Sequence, residues 1–242
     1  MLKWSLIGLL ILAVIVTVVF FLPKEDNLSG GTVVLPIASS TNKVAAELKT
    51  TEAFPPTFNQ ELEFTSQAPF AVWDHLHNES CEEASLLMAY AWAHSLALDP
   101  AFADSELKKV ADWEINKFGF FESTMTEQTA QMAREFYNLK VDLQENPTAE
   151  EIKRELIDGN LVVMGMAGRW LGNPHFKAPG PIYHMLVIKG YDETGFFTND
   201  PGTLYGKNYH YSYATIMKAA HDWTGVDEEI YTSPATALVV SK

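Results

Sequence analysis

Apolar and polar positions fall into three regimes along this chain, and each predicts a different kind of structure. From Trp4 to Leu22 (WSLIGLLILAVIVTVVFFL) no side chain is charged. A helix of that length reaches roughly 28 Å at ~1.5 Å per residue, close to the ~30 Å hydrocarbon core of a bilayer, so residues 1–22 are expected to form a transmembrane helix. Lys3 precedes it, and Lys24, Glu25 and Asp26 follow. That charge bias places the N-terminus in the cytoplasm and the rest of the chain outside, at the cell membrane. A cleaved signal peptide is the alternative, and it exports the remainder equally. From Pro23 to Gln60 periodicity is lost and Ser, Thr, Pro and Gly collect, the pattern of a flexible extracytoplasmic stalk.

Residues 61–242 are expected to form the globular domain. Ala, Leu and Met recur at helical spacing from Cys81 to Leu98, and Asp99-Pro100 is expected to stop that helix. Ser105–Phe118 and Thr126–Tyr137 repeat the spacing. Thr148-Ala-Glu-Glu151 has the form of a capping box ahead of a short helix that Gly159 ends. The period then changes: Leu161–Met166, Tyr183–Tyr191 and Phe196–Asp200 are continuous β-branched and aromatic runs. The turn Asp192-Glu-Thr-Gly195 joins the last two into an antiparallel hairpin. Further strands are expected at Tyr209–Tyr213 and Ala237–Val240, with a short helix near Ile216–His221. Helices first and strands afterwards predict the α+β class.

Composition narrows the function. The chain has 242 residues, 47% of them apolar, and its 17 Lys and Arg against 31 Asp and Glu give a net charge of −14. Such a balance repels phosphate backbones, so nucleic acid is excluded as a partner. The single cysteine, Cys81, forms no internal disulfide and no thiolate-rich zinc site.

Ser80-Cys81-Glu82-Glu83 has the form of a second capping box, which puts Cys81 at the first helical position, where the macrodipole favours a thiolate. Glu82 and Glu83 add negative charge and oppose it, so a partner base is required. The alternative is a small buried hydrophobe. Of seven histidines, His184 opens the strand HMLVIKGY, and the turn at residues 192–195 brings Asp200 back to the same open end of the hairpin. A carboxylate there can hold one ring nitrogen while the other faces a thiolate, giving Cys, His and Asp in that order. Taken singly, His184 reads as a satisfied histidine and Asp200-Pro-Gly as a turn. His75-x-His77 lacks a third ligand at fixed spacing and reads as surface, so no metal and no cofactor are expected. The stretch Gly168–Gly180 (GRWLGNPHFKAPG) is either a substrate-binding loop or an ordinary exposed connection.

Four blocks in order carry a family resemblance: Phe64-Thr-Ser-Gln67-Ala-Pro, Ser80-Cys-Glu-Glu-Ala-Ser85, Tyr183-His-Met-Leu-Val-Ile-Lys-Gly-Tyr-Asp192 and Thr198-Asn-Asp-Pro-Gly202. Over about Leu62 to Tyr213 the chain resembles the bacteriocin-processing, double-glycine-leader cysteine peptidases, most closely their stand-alone bacterial relatives. The resemblance implies a papain-like fold, Cys81 as nucleophile, His184 as general base and acid, Asp200 as orienting carboxylate and Gln67 as oxyanion-hole amide. Two departures stand out: the insertion APFAVWDHLHNES between Gln67 and Cys81, and Glu82-Glu83 where leader peptidases usually carry Gly-Pro. The expected function is a membrane-anchored, extracytoplasmic cysteine peptidase hydrolysing peptide bonds. Its expected partners are a peptide or protein substrate and, through the N-terminal helix, the membrane. The alternatives are an acyl or amide transferase, a cell-wall amidase, and a catalytically inactive peptide-binding module. Glu82 and Glu83 suggest a preference for basic groups near the site.

Overall fold

The computed structural model describes residues 54–242. The apolar stretch Trp4–Leu22 and most of the expected stalk lie outside them. Among the described residues no helix is long and apolar enough to cross a membrane. Packing begins before the expected boundary at residue 61. Phe54 and Phe58 lie 6.4 and 6.3 Å from the Tyr191 ring, and Phe58–Asn59 form a short strand, β1.

Five helices and two strands alternate over the next part of the chain: α1 (His75–Glu79), α2 (Cys81–His94), α3 (Pro100–Phe118), α4 (Thr126–Glu135), β2 (Lys140–Glu145), α5 (Ala149–Ile157) and β3 (Leu161–Ala167). A short helix, α6 (Gly168–Leu171), leads through a loop to β4 (Tyr183–Tyr191), β5 (Gly195–Asn199), β6 (Tyr209–Ser212), α7 (Tyr213–Ala219) and β7 (Thr236–Ser241). The strands form one sheet in the order β2-β7-β3-β4-β5-β6, with β1 added to β4, and every pairing is antiparallel. The mixed α and β class with an antiparallel sheet is thus the observed one, although β2 interrupts the expected run of helices. Only Val141 and Leu143 signal β2 as a strand, because its other positions are polar.

Asp99-Pro100 opens α3 instead of closing α2. Proline at the first helical position gives up a donor that has no intrahelical partner there, and Asp99 Oδ1 accepts from the N–H groups of Ala101 and Phe102 at 2.9 Å. The preceding helix ends earlier, at His94, with Ser95 in the left-handed region. The Thr148–Glu151 capping box forms as expected.

Alternation along the central strands divides the core into two faces. Tyr183, Met185 and Val187 of β4 pack with Leu86, Leu107 and Met132 from α2, α3 and α4. Leu186 and Ile188 face the other way, onto Ile152 and Leu156 of α5 and Ile216 of α7. Apolar on nearly every side, α2 is buried along most of its length, as a helix under a sheet must be. Leu86 is fully buried in this face. Leu86→Ala is expected to cost about 2–5 kcal/mol in urea unfolding, while Leu204→Ala, at a side chain left exposed, stays within about 0.5 kcal/mol.

Candidate active site

Hairpin register brings His184 and Asp200 together. His184 stands at the second position of β4, Asp200 directly follows β5, and the ring Nε2 lies 2.7 Å from Asp200 Oδ1. Both side chains are buried, at 2% and 0% exposure. Asp200 is held on all sides: Gly202 N–H donates to Oδ1 at 3.0 Å, and Oδ2 accepts from Tyr211 Oη at 2.6 Å and Asn173 Nδ2 at 3.2 Å. Burial pushes the Asp200 carboxyl up, but the neighbouring imidazole and these hydrogen bonds outweigh it and hold the group below the usual carboxylate range. Gly202 lies flat against the ring, since a Cβ there would stand 2.8 Å from His184 Cε1. Phe176 meets the ring edge-on at 5.2 Å.

Asn173 and Tyr211 are site residues that sequence reasoning misses. Tyr211 reads as one more aromatic of a strand, and Asn173 lies in the loop whose role composition leaves open. Nothing in their spacing announces a shared carboxylate.

Gln67 ties this turn to the start of α2. Its backbone N–H donates to Pro201 O at 3.0 Å, while its side-chain Nε2 donates to His77 O and Asn78 O at 2.8 and 2.9 Å. Its Oε1 is buried with no donor facing it. The amide is thus anchored to the turn that leads into Cys81, and one of its protons must be shared or released before it can serve an oxyanion.

Cys81 opens α2, as expected, but its surroundings differ from the expected ones. Ser80 does not cap: its Oγ donates to Leu76 O one turn back, in the helix that runs directly into α2, and Glu83 points into the protein. Among the described residues the one side-chain hydrogen bond of Cys81 Sγ runs to Glu82 Oε2 at 2.9 Å, and not to an imidazole. Glu82 is clamped by Thr124, whose N–H donates to Oε1 at 2.7 Å. The backbone N–H of Met185, next in the chain to His184, acts on the thiol in the opposite sense and favours its ionisation. By strand alternation His184 leaves β4 on the face of Leu186 and Ile188, opposite the face that packs on α2.

The thiol is pushed well up from its ordinary value, first by burial, then by the charge of Glu82 and the hydrogen bond to it, and last by the charge of Glu83. A helix N-terminus is worth about 0.3–1 kcal/mol, less than one pH unit, whereas burial moves a group by as much as about 3–5 units. Burial wins, and the resting sulfur is a thiol.

Glu82 and Glu83, expected to draw basic groups to the site, are 1% and 0% exposed and turned inward. Burial raises Glu82 despite its hydrogen bonds. Glu83 lies near Glu114 of α3, also fully buried, and among the described residues no group donates a hydrogen bond to any of their four carboxyl oxygens. Such a pair is satisfied only when a protonated carboxyl donates to its neighbour. Burial accordingly pushes Glu83 far up and Glu114 up to about 9. His75 and His77 do not converge on a metal: His75 pairs with Glu122 at 3.2 Å, and His77 spans Asp74 and Asp104 at 2.7 and 3.1 Å.

These carboxyls set the pH dependence of stability. The folded state holds the Glu114 proton up to about pH 9 while the unfolded chain releases it near 4.5, and Glu83 is shifted in the same direction, so stability falls as pH rises through that window. Glu114→Gln, which supplies a permanent donor, is expected to flatten the fall in urea midpoint between pH 5 and 9 relative to the unaltered chain.

Comparison with known proteins completes the description. A model of the family described as "Peptidase_C39 like family" matches residues 56–229. A crystal structure described as that of a C39-like peptidase from Bacillus anthracis is similar at 16% identity and a TM-score of 0.48, covering 76% of this chain and 98% of the other. No curated protein matches the chain.

Proposed function

Because the chain belongs to the Peptidase_C39 like family and is thereby a cysteine-type peptidase, we propose that it hydrolyses peptide bonds by the papain-like mechanism, through Cys81, His184 and Asp200. The observation that carries this reading is the buried 2.7 Å pair of His184 Nε2 with Asp200 Oδ1, next in the chain to Met185, whose N–H favours ionisation of the one cysteine thiol of the chain. With Nε2 committed to Asp200, Nδ1 is the nitrogen left to take the thiol proton.

The resting sulfur is bonded to Glu82, so the cycle begins when Cys81 leaves Glu82 and turns to the imidazole. The Cys81 proton passes to His184 Nδ1 as Sγ bonds to the substrate carbonyl carbon. The carbonyl oxygen gains the negative charge, and the Cys81 backbone N–H and the Gln67 amide receive it once that amide shares a proton now given to His77 O or Asn78 O. His184 returns the proton to the leaving amine as the C–N bond breaks. Water, deprotonated by the same nitrogen, then cleaves the thioester and restores the thiol. The bond from Cys81 to Glu82 is also the observation that favours a second reading, an inactive module that binds peptides without cutting them.

Mass spectrometry of a peptide mixture incubated with the full chain decides between the two. Peptide cleavage is expected, with Cys81→Ala abolishing it and His184→Ala lowering kcat/KM by about 10²–10⁴-fold. Undiminished cleavage by Cys81→Ala, or none by the unaltered chain, contradicts the peptidase mechanism.

The proposal extends to placement: residues 1–22 anchor the enzyme and hold the domain outside the cytoplasmic membrane. The support is the charge-free stretch Trp4–Leu22. The full chain is expected to remain in the membrane pellet after alkaline carbonate extraction, and a chain beginning at Glu52 to appear in the supernatant.

A further inference from the structure

A cavity of about 280 Å³ is lined by α6 and by the loop between α6 and β4. Two lining residues belong to the cluster already described: Asn173 donates to Asp200 Oδ2, and Phe176 packs its ring on His184. Apart from Arg169 and Ala178, the remaining lining residues are Gly and Pro. Gly168 admits no side chain, since a Cβ there would stand 2.7 Å from Pro181 O and 3.1 Å from His184 Cβ. Glycine at 168 therefore lets the backbone at the start of α6 pack directly against Pro181 and His184.

Arg169 is the only charged side chain that lines this cavity. It is exposed, and among the described residues its one hydrogen bond is a long 3.5 Å contact from Nε to Gly180 O. Although the chain carries an excess of carboxylates, none of the described ones forms an ion pair with it. A guanidinium offers a planar fork of donors that matches a carboxylate, and this one has its fork free. The net charge of −14 disfavours an acidic ligand at a distance, but at physiological salt that field decays over about 8 Å, so the contact charge decides inside the cavity.

We propose that this cavity is a substrate subsite for an acidic side chain, Glu or Asp, of the peptide, and that Arg169 is its specificity determinant. The sign is opposite to the preference for basic groups that Glu82 and Glu83 suggest on sequence. The inference rests on the reading of Cys81, His184 and Asp200 as a peptidase centre.

The test separates the two levels. The full chain carrying Cys81→Ala is titrated with fluorescein-labelled hexapeptides in which one Glu is walked along an alanine sequence, and with the same set carrying Gln. At one position Glu is expected to bind about three- to tenfold tighter than Gln. Arg169→Glu in the same background is expected to reverse that order, and Arg169→Lys to keep it in weaker form. Equal affinity of Glu and Gln peptides at every position, including no measurable binding of either, overturns the subsite. A preference that survives Arg169→Glu overturns it as well. Incubating the same peptides with the chain that retains Cys81 distinguishes the readings: cleavage without charge preference removes the subsite and keeps the peptidase, while charge-dependent binding without cleavage keeps the subsite and removes the peptidase.

Discussion

The hydrogen bond between His184 Nε2 and Asp200 Oδ1 is the interaction around which the rest of the site is arranged. A fully buried carboxylate is costly unless its lone pairs are taken, and Asp200 meets that demand with four donors from four segments of the chain: His184 in β4, Gly202 in the following turn, Tyr211 in β6 and Asn173 in the α6–β4 loop. Removing any one of them leaves charge unsatisfied in a dry interior. The sheet supplies the register, the loop and turn close over it, and the imidazole is fixed by one nitrogen with little freedom to turn.

The sulfur sits in a different environment, and the contrast defines the proposed mechanism. Asp200 is kept ionised by donors, whereas Cys81 is kept protonated by burial and by the Glu82 carboxylate beside it. Glu82 is itself fixed by Thr124, and behind it Glu83 and Glu114 occupy space that an ordinary core would give to hydrocarbon. These acids are a liability for stability at high pH, and in the proposed mechanism a brake on Cys81. In the proposed cycle the brake is released when the sulfur exchanges a carboxylate for the imidazole.

Much of this was legible in the sequence where the signal is local. The hairpin of His184 and Asp200 follows from two apolar runs and a turn, and the position of Cys81 at a helix start from an apolar helical period. Other features depend on long-range partners. Asp99-Pro100 has the same letters whether it stops one helix or starts the next, and the left-handed Ser95 before it decides the matter. The apparent box of Ser80 and Glu83 fails because α1 runs directly into α2 and takes the serine hydroxyl for its own last turn. The Cys81–Glu82 bond is hidden for a related reason: neighbours in sequence do not normally face each other on a helix, and only a clamp from Thr124, distant in the chain, turns the carboxylate onto the sulfur.

The central claim is that Cys81 is held as a thiol by Glu82 and becomes a nucleophile by pairing with His184. The most direct measurement is the thiolate absorbance of Cys81 followed against pH in the unaltered chain, in Glu82→Gln, and in Glu82→Gln combined with His184→Ala. The account predicts that Glu82→Gln lowers the midpoint of ionisation by at least about one pH unit, equal to about 1.4 kcal/mol, and that adding His184→Ala cancels most of the gain. A midpoint that does not move in Glu82→Gln, or one that moves equally with and without the histidine, contradicts it.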